Sequence, residues 1–538
     1  MEEVMKILVS DDVSEKGVEL LRQNGYTVDV ETNLDEDQLA ERIGEYDGLI
    51  TRSMTHVTAK VIEKAKKLKI VGRAGVGIDS IDLKAATARG IIVVNAPTSN
   101  TIAATEHTCA MILAVTSHIP PAHGSLMSGE WNREKFTGIQ LKDKTMGIIG
   151  VGRIGSRIAK RMQAMEMRTI GYDPYIPEER GKQLNCELVD LDTLLRESDY
   201  ITLHTPLTKE TRGMIGAEEI AKMKDGVRVI NVSRGAVLDI NALAESLKSG
   251  KVAGAAVDVF PEEPLTTDIN PFKGMDNVVI TPHLGASTVE AQEGVSLDVA
   301  RSIMAGLKGE PVPTAVNMAP VAPGVYSTIR PYFDLMERMG IMGVYLAEAP
   351  MKEITVEYSG KLAETETALL TTAVLKGALN PILQDAVNFV NAPDLAKQRH
   401  ISVKEVKTSD HGNFVDAVTV RIVTAKGEHK VVGSLFNQTE AKIVQIDEYR
   451  VDFKPENYLL LAPHIDQPNM IGQIATVLGE AKINITGMQV GNMTQKGTNI
   501  MAVAVEDDIP NDVMVKLRSI NGILDMKLIH CEPNQQEA

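Results

Sequence analysis

The run T-M-G-I-I-G-V-G-R-I-G-S-R-I-A-K-R places Gly150, Gly152 and Gly155 in G-x-G-x-x-G spacing. An apolar strand-like run, Met146–Ile149, precedes it, and a helix-like segment, Ile154–Met162, follows. The first glycine permits a tight turn, the second lets backbone approach a pyrophosphate, and the third lets helix pack closely on strand. The helix start adds free N–H groups and the positive end of a dipole. A glycine-rich turn can also exist without a ligand, so the context matters. The next strand-like run, Arg168–Tyr172, ends at Asp173, eighteen residues after Gly155. A carboxylate there accepts hydrogen bonds from ribose hydroxyls and repels a 2′-phosphate, which points to NAD rather than NADP.

Three further segments each trail an apolar run. They are V-I-N-V-S-R-G-A-V-L-D with Arg234, A-A-V-D-V-F-P-E-E-P-L with Glu263, and V-V-I-T-P-H-L-G-A-S-T with His283. Each polar residue then falls at a strand's carboxyl end, where open α/β sheets bind ligands. Taken singly, each has an ordinary reading: a surface ion pair, a solvated loop acid, a loop histidine with its hydrogen bonds satisfied. Their joint appearance behind the glycine fingerprint favours chemistry.

The elements that must position these residues alternate. Lys6–Ser10, Thr27–Glu31, Gly48–Thr51, Ile70–Arg73 and Ile91–Asn95 read as strands, with helix-like segments such as Glu15–Gln23, Leu39–Ile43 and Val57–Ala65 between them. Asn100–Ser117 reads as one long helix, and a second alternating series runs from Thr145 to about Thr281. Such alternation predicts two parallel sheets covered by helices. Four prolines between Pro311 and Pro323 mark a boundary. Beyond it, Ile354–Ser359 and Ala417–Thr424 read as strands, Glu364–Leu379 as a helix, and Asp452–Glu456 as a second hinge.

The 538 residues suffice for roughly three to four domains. A formal charge of −16 and 4% aromatic residues argue against a nucleic-acid binder. No apolar stretch approaches a membrane span, and the acidic start lacks a basic signal-peptide region. Cys109, Cys186 and Cys531 form no CxxC pair, so neither a disulfide scaffold nor a thiolate metal site is expected. The expectation is a cytoplasmic protein without metal, nucleic-acid or membrane partners.

Together with R-A-G-V-G-I-D-S-I-D (Arg73–Asp82), these motifs make residues 1 to about 315 resemble the D-isomer-specific 2-hydroxyacid dehydrogenase family. Over its whole length the chain is similar to that family's long-form D-3-phosphoglycerate dehydrogenase branch, through V-E-Y-S-G (Val356–Gly360) and Asn457–Ile529. The resemblance implies two Rossmann-like doubly wound domains: substrate binding over 1–99 and 285–315, and NAD binding over 100–284. An α+β intervening domain follows over 316–452, then a ferredoxin-like ACT domain over 453–538. It implies Arg234, Glu263 and His283 as the catalytic trio. Physics agrees: imidazole is a suitable base for a hydroxyl proton, a carboxylate fixes its tautomer, and a guanidinium fork holds an α-carboxylate. Family carry-over puts Val76, Arg153, Ile154, Thr205, Pro206, Val232, Ser233, Asp258 and Ala286 at the NAD site, beside the glycines, Asp173, Arg234 and His283.

The implied substrate, 3-phosphoglycerate, needs cations. T-R-S-M-T supplies Arg52 and Ser53 at a strand end, and Arg73 precedes the Gly75, Val76, Gly77 turn, whose N–H groups could cradle a carboxylate. W-N-R contains Trp131 and Arg133; in the family this segment approaches a neighbouring subunit's site, and a solvated charge is the other reading for Arg133. His107 and His204 read as structural. In the last segment His464, Asp466 and Asn484 would meet an amino-acid effector, L-serine, between paired ACT domains. Asn469 departs from the family's usual glycine, and Asn tolerates left-handed backbone better than most residues. A homo-oligomer, dimer or tetramer, is implied. Two other readings stay open: a 2-hydroxyacid dehydrogenase for an unphosphorylated substrate, and an NAD-sensing corepressor of the same fold, which lacks the ACT-like tail.

Overall fold

In the computed structural model, residues 4–383, 387–409, 415–437, 439–493 and 497–532 are described. The apolar runs of the first hundred residues become β1 (Lys6–Val9), β2 (Thr27–Val30), β3 (Gly48–Thr51), β4 (Ile70–Arg73) and β5 (Ile92–Asn95). They form a parallel sheet in the order β2-β1-β3-β4-β5. Every residue of β3 is buried, as parallel sheets covered on both faces require. One cover is the helix Glu15–Gln23, which buries Val18 and Leu21. Another arrives from far along the chain: Val289–Leu307 sinks Val299, Ile303 and Leu307 into the same core as Ile7 and Ile70. A side chain at Gly72 would collide with Val299, so glycine there permits the close approach. The Val316 N–H then donates to the Val93 carbonyl at 2.8 Å, tying the returning segment to β5.

The helix Thr101–Thr116 crosses to the second unit, where Met111, Ile112 and Val115 share a core with Met146, Ile148 and Ile158. Here lie β6 (Thr145–Ile149), β7 (Arg168–Tyr172), β8 (Glu187–Leu188), β9 (Tyr200–Leu203), β10 (Val227–Asn231), β11 (Val252–Val257) and β12 (Val278–Ile280). Their order, β12-β11-β10-β9-β6-β7-β8, reverses direction beside β6. That reversal is where a doubly wound sheet opens a ligand crevice.

The third sheet has ten strands. β13 (Met351–Gly360), β14 (Ser402–Thr408), β15 (Asp416–Thr424), β16 (Glu428–Phe436), β17 (Glu440–Ile446) and β18 (Tyr449–Phe453) pack on the helices Phe333–Ala347 and Ala368–Leu383. The expected helix at Glu364 starts instead at Ala368, because Lys361–Glu364 forms a separate tight turn and Thr365 is extended. β19 (Tyr458–Ile465), β20 (Ile485–Met493), β21 (Thr498–Val505) and β22 (Lys527–His530), with helices Met470–Glu480 and Asn511–Arg518, complete a ferredoxin-like βαββαβ unit ordered β20-β21-β19-β22. The hinge expected around Pro455 does not interrupt the sheet: Arg450 of β18 pairs with Asn492 of β20. Asn469 heads the first of these helices at φ +71°, the left-handed backbone glycine would otherwise supply.

Among the described residues, no helix is long and apolar enough to cross a membrane. Ile303→Ala, in the helix that closes the first unit, should cost about 2–5 kcal/mol. The measurement is the denaturation midpoint of the transition containing that unit; an unchanged midpoint would show that this helix is not part of its core.

Candidate active site

The glycine loop follows β6, whose buried apolar residues anchor its start. Gly150 sits at φ +90°, where an added Cβ would also press on the His204 carbonyl at 2.6 Å, and a Cβ on Gly155 would collide with the Gly150 carbonyl. At Gly152 a Cβ would meet nothing within 4 Å, so the loop's middle faces open space. The helix Arg153–Ala164 begins there. Asp173, at the end of β7, lies against this loop and accepts from the Val151 N–H at 3.0 Å. Ile154 packs on the core below, and Arg153 reaches across to the Pro97 carbonyl at 3.3 Å. The Thr205 hydroxyl is buried without a hydrogen-bond partner, while Pro206 is exposed. An open cradle at a helix N-terminus, an adjoining carboxylate and an orphaned hydroxyl fit a dinucleotide.

Asp258 is fully buried and organises the loop that carries His283. Its carboxylate accepts from the Thr281 hydroxyl (2.5 Å), the Leu284 N–H (2.7 Å) and the Gly285 N–H (2.9 Å), while its backbone carbonyl takes the His283 N–H at 2.9 Å. His107 Nε2 lies 3.2 Å from both Asp258 and Thr281, which gives this histidine a structural part in the same knot. Burial pushes the Asp258 carboxyl up, but hydrogen bonds from His107, Thr281 and Leu284 outweigh it and hold it below its ordinary value. Val232 is buried beside Gly285, and Ala286 is half-buried next to it. His204, expected to be structural, bonds Thr202 at 2.9 Å, and burial lowers it to about 4.

Two of the expected trio, His283 and Glu263, meet directly. His283, held at φ +56°, places Nδ1 2.8 Å from Glu263 Oε2, and Glu263 Oε1 accepts from the Phe260 N–H at 2.9 Å. A carboxylate can only accept, so Nδ1 carries a proton, and in the neutral ring that tautomer leaves the lone pair on Nε2. Burial raises the Glu263 carboxyl, yet the His283 and Phe260 hydrogen bonds win and leave it below its usual range. Arg234 follows β10 on a turn held by Asn231, whose amide oxygen accepts from the Ser233 N–H and hydroxyl. Its guanidinium bonds the Ser233 carbonyl at 2.8 Å and Asp79 at 3.3 Å, and a side chain at Gly77 would collide with it. Asp79 escaped sequence reasoning, although it stands inside the R-A-G-V-G-I-D-S-I-D stretch.

Arg52, Ser53, Arg73 and Arg234 converge from both units. The Arg52 N–H and the Thr55 N–H are both received by buried Asp11, which shapes the turn after β3. Arg73 bonds Ser53 at 3.3 Å, its Nε is buried without a partner, and a side chain at Gly75 would collide with it. Burial and the neighbouring Arg234 and Arg52 cations lower Arg73 to about 10. The Val76 carbonyl is fixed by Asn95 at 2.6 Å. This is a cationic cluster in which Asp79 pairs with Arg234 and Asp11 is taken up by backbone N–H groups.

Other expected residues lie elsewhere. Trp131 and Arg133 are exposed beyond the helix Ile119–Met127. His464 is buried, with Nε2 unpartnered, and Asp466 is exposed at the following turn. Asn484 does not join them within one chain. His464 pairs with Asn499, which pairs with Asn492, whereas Asn484 precedes the far end of β20 and bonds Glu506 at 3.0 Å. Among the described residues, no group of three or more His, Cys, Asp or Glu could hold a metal ion.

Comparison with known proteins matches residues 109–285 to the D-isomer specific 2-hydroxyacid dehydrogenase NAD binding domain and 328–447 to the D-3-phosphoglycerate dehydrogenase intervening domain. The chain is 42% identical to a D-3-phosphoglycerate dehydrogenase of Archaeoglobus fulgidus, over 97% of this chain and 99% of that one. A Methanocaldococcus jannaschii protein of the same name is 43% identical over 98% of this chain and all of its own length. Among solved structures, a D-lactate dehydrogenase from Aquifex aeolicus complexed with NAD and lactic acid is 30% identical with a TM-score of 0.52, covering 57% of this chain and 96% of its own.

Because both carboxyls are held low, they stabilise the fold fully above the ordinary values of 3.8 (Asp258) and 4.5 (Glu263), and that contribution is lost as pH falls through their lower native values. Glu263→Gln should therefore flatten the acid side of the melting-temperature profile between about pH 5 and about pH 3. An unaltered slope would remove the His283–Glu263 pair from that balance.

Proposed function

The chain belongs to the D-3-phosphoglycerate dehydrogenase family, and from that premise we propose how its own residues carry out NAD-dependent oxidation of 3-phospho-D-glycerate to 3-phosphohydroxypyruvate, the entry to serine biosynthesis. The observations that carry the proposal are the His283–Glu263 pair and the clustering of Arg52, Arg73 and Arg234.

Arg234 holds the α-carboxylate, and Arg52 with Arg73 takes the phosphate. The N–H groups of the Gly75–Gly77 turn complete the cradle. NAD, when bound on the Gly150–Gly155 loop with its ribose at Asp173, supplies the hydride acceptor. His283 Nε2 removes the hydroxyl proton as the C–H bond breaks, and Glu263 stabilises the imidazolium that results. In the reverse direction the imidazolium returns the proton to the carbonyl oxygen, which Arg234 polarises. Asp258 acts through the loop it holds. Each bond is worth more because the pocket is partly desolvated.

The working unit is a homo-oligomer, dimer or tetramer. Supporting this, Met127 is 75% and Trp131 79% exposed, and no residue of the helix Ile119–Met127 is buried, an apolar face that a second copy would cover. The free thiols of Cys186 and Cys531, both buried, suit the reducing cytoplasm. L-Serine acts as effector at paired ACT domains. The unpartnered Nε2 of buried His464 supports this reading, and the distance of Asn484 from it along the sheet means that a site using both draws them from two chains.

His283→Ala should lower kcat for 3-phosphoglycerate oxidation by about 10²–10⁴-fold. Steady-state assay with NAD decides it, and a wild-type kcat would remove His283 from the mechanism. Serine at millimolar concentration should inhibit the full chain, and Asp466→Ala should relieve that inhibition. A rate indifferent to serine, or equal inhibition of both forms, would leave the C-terminal unit a purely structural role.

A further inference from the structure

A second charged cavity lies at the opposite edge of the first sheet. Asp47, Lys69 and Ile92 line it at the amino ends of β3, β4 and β5, whereas Arg52 and Arg73 stand at the carboxyl ends of β3 and β4. It measures about 920 Å³ and is closed on its far side by the intervening unit, through Phe333 and Phe389. The two units are pinned across it: the Asn388 amide donates to the Gly90 carbonyl at 2.7 Å, and the Tyr326 hydroxyl donates to the Pro311 carbonyl at 3.0 Å. The volume is within the range of small-molecule sites, about 300–1,000 Å³.

Its charge runs against that of the molecule. Seven basic and four acidic side chains line it, in a chain of net charge −16. Three of the four acids are ion-paired, and the fourth, Asp47, is bonded to a backbone N–H and keeps its charge. Glu337 pairs with Lys376 at 2.8 Å, Glu310 with Arg330 at 3.6 Å, Asp334 with Arg338 at 2.9 Å, and Asp47 receives the Lys6 N–H at 2.9 Å. Among the described residues, Lys66, Lys69 and Lys308 have no carboxylate within ion-pairing distance. Among the described residues, Arg89 donates only to the neutral carbonyls of Ile62, Glu63 and Ala65 and has no carboxylate partner. The Phe333 and Phe389 rings, edge to face at 5.7 Å, give the cavity an apolar wall. Unpaired ammonium groups around a preformed cavity attract an anion as point charges do.

We propose that this cleft is a second ligand site, distinct from the active site, for a small organic phosphate whose carbon skeleton rests on the phenylalanine wall. Its occupant would touch Asp47 and Lys69, which lead into the strands β3 and β4 whose far ends reach Arg52 and Arg73, and that gives it a route to substrate affinity.

The test is titration of the full chain, saturated with NADH to fill the dinucleotide cradle, with inorganic pyrophosphate followed by calorimetry. With the active-site phosphate pocket disabled by Arg52→Ala, pyrophosphate should still bind, and adding Lys66→Ala/Lys69→Ala/Lys308→Ala to that variant should weaken the binding at least tenfold. Lys308→Ala alone, on an exposed turn, should weaken it in the same direction and guards against misfolding of the triple variant. Absence of binding, full affinity in the lysine variants, or loss of binding in Arg52→Ala would each overturn the proposal.

Discussion

Three guanidinium groups, Arg52, Arg73 and Arg234, stand close together, and among the described residues only Arg234 has a carboxylate ion-pair partner. Arg73 is the clearest sign of the constraint: its Nε is buried without a partner, and burial with two neighbouring cations brings it down to about 10. Asp79 answers Arg234, and Asp11 is spent on backbone N–H groups. Two sheets bring them there: Arg52 and Arg73 come at the ends of β3 and β4 in the first, and Arg234 follows β10 in the second. The substrate proposed above, carrying both carboxylate and phosphate, would relieve the imbalance.

That arrangement rests on where parallel strands end. β3 and β4 deliver Arg52 and Arg73, β10 delivers Arg234, β11 leads to Asp258 and Glu263, and β12 leads to His283. Buried strands fix these ends to a fraction of a side chain, and short polar devices aim the groups beyond them. Asn231 turns the chain towards Arg234, and Asp258 gathers the loop through Gly285 so that His283 meets Glu263. Burying the Asp258 carboxylate is costly, and four hydrogen-bond partners offset it.

Local order was legible in the sequence wherever a residue's role depends on its neighbours. The helix Glu15–Gln23 and the strands Gly48–Thr51, Ile70–Arg73 and Arg168–Tyr172 end where their apolar periodicity ends. The glycine loop and the pairing of His283 with Glu263 were legible because type, spacing and order agree. What depends on distant pairing was not. Nothing near His107 announces Asp258, 151 residues away. No local pattern shows that β18 joins β20 to make one ten-stranded sheet across Pro455, or that Asn484 stands at the other end of the sheet from His464. The early helix boundary at Glu364 failed for a smaller reason, since composition does not separate a single tight turn from a first helical turn.

The central claim is that the arginine pocket reads a phosphate on a 2-hydroxy acid. The most direct measurement is kcat/KM for NAD-dependent oxidation of 3-phospho-D-glycerate beside that of D-glycerate. Two charge-assisted hydrogen bonds at roughly 1.5–3 kcal/mol each predict a preference for the phosphorylated acid of at least about 100-fold. Equal kcat/KM for the two acids would contradict the account.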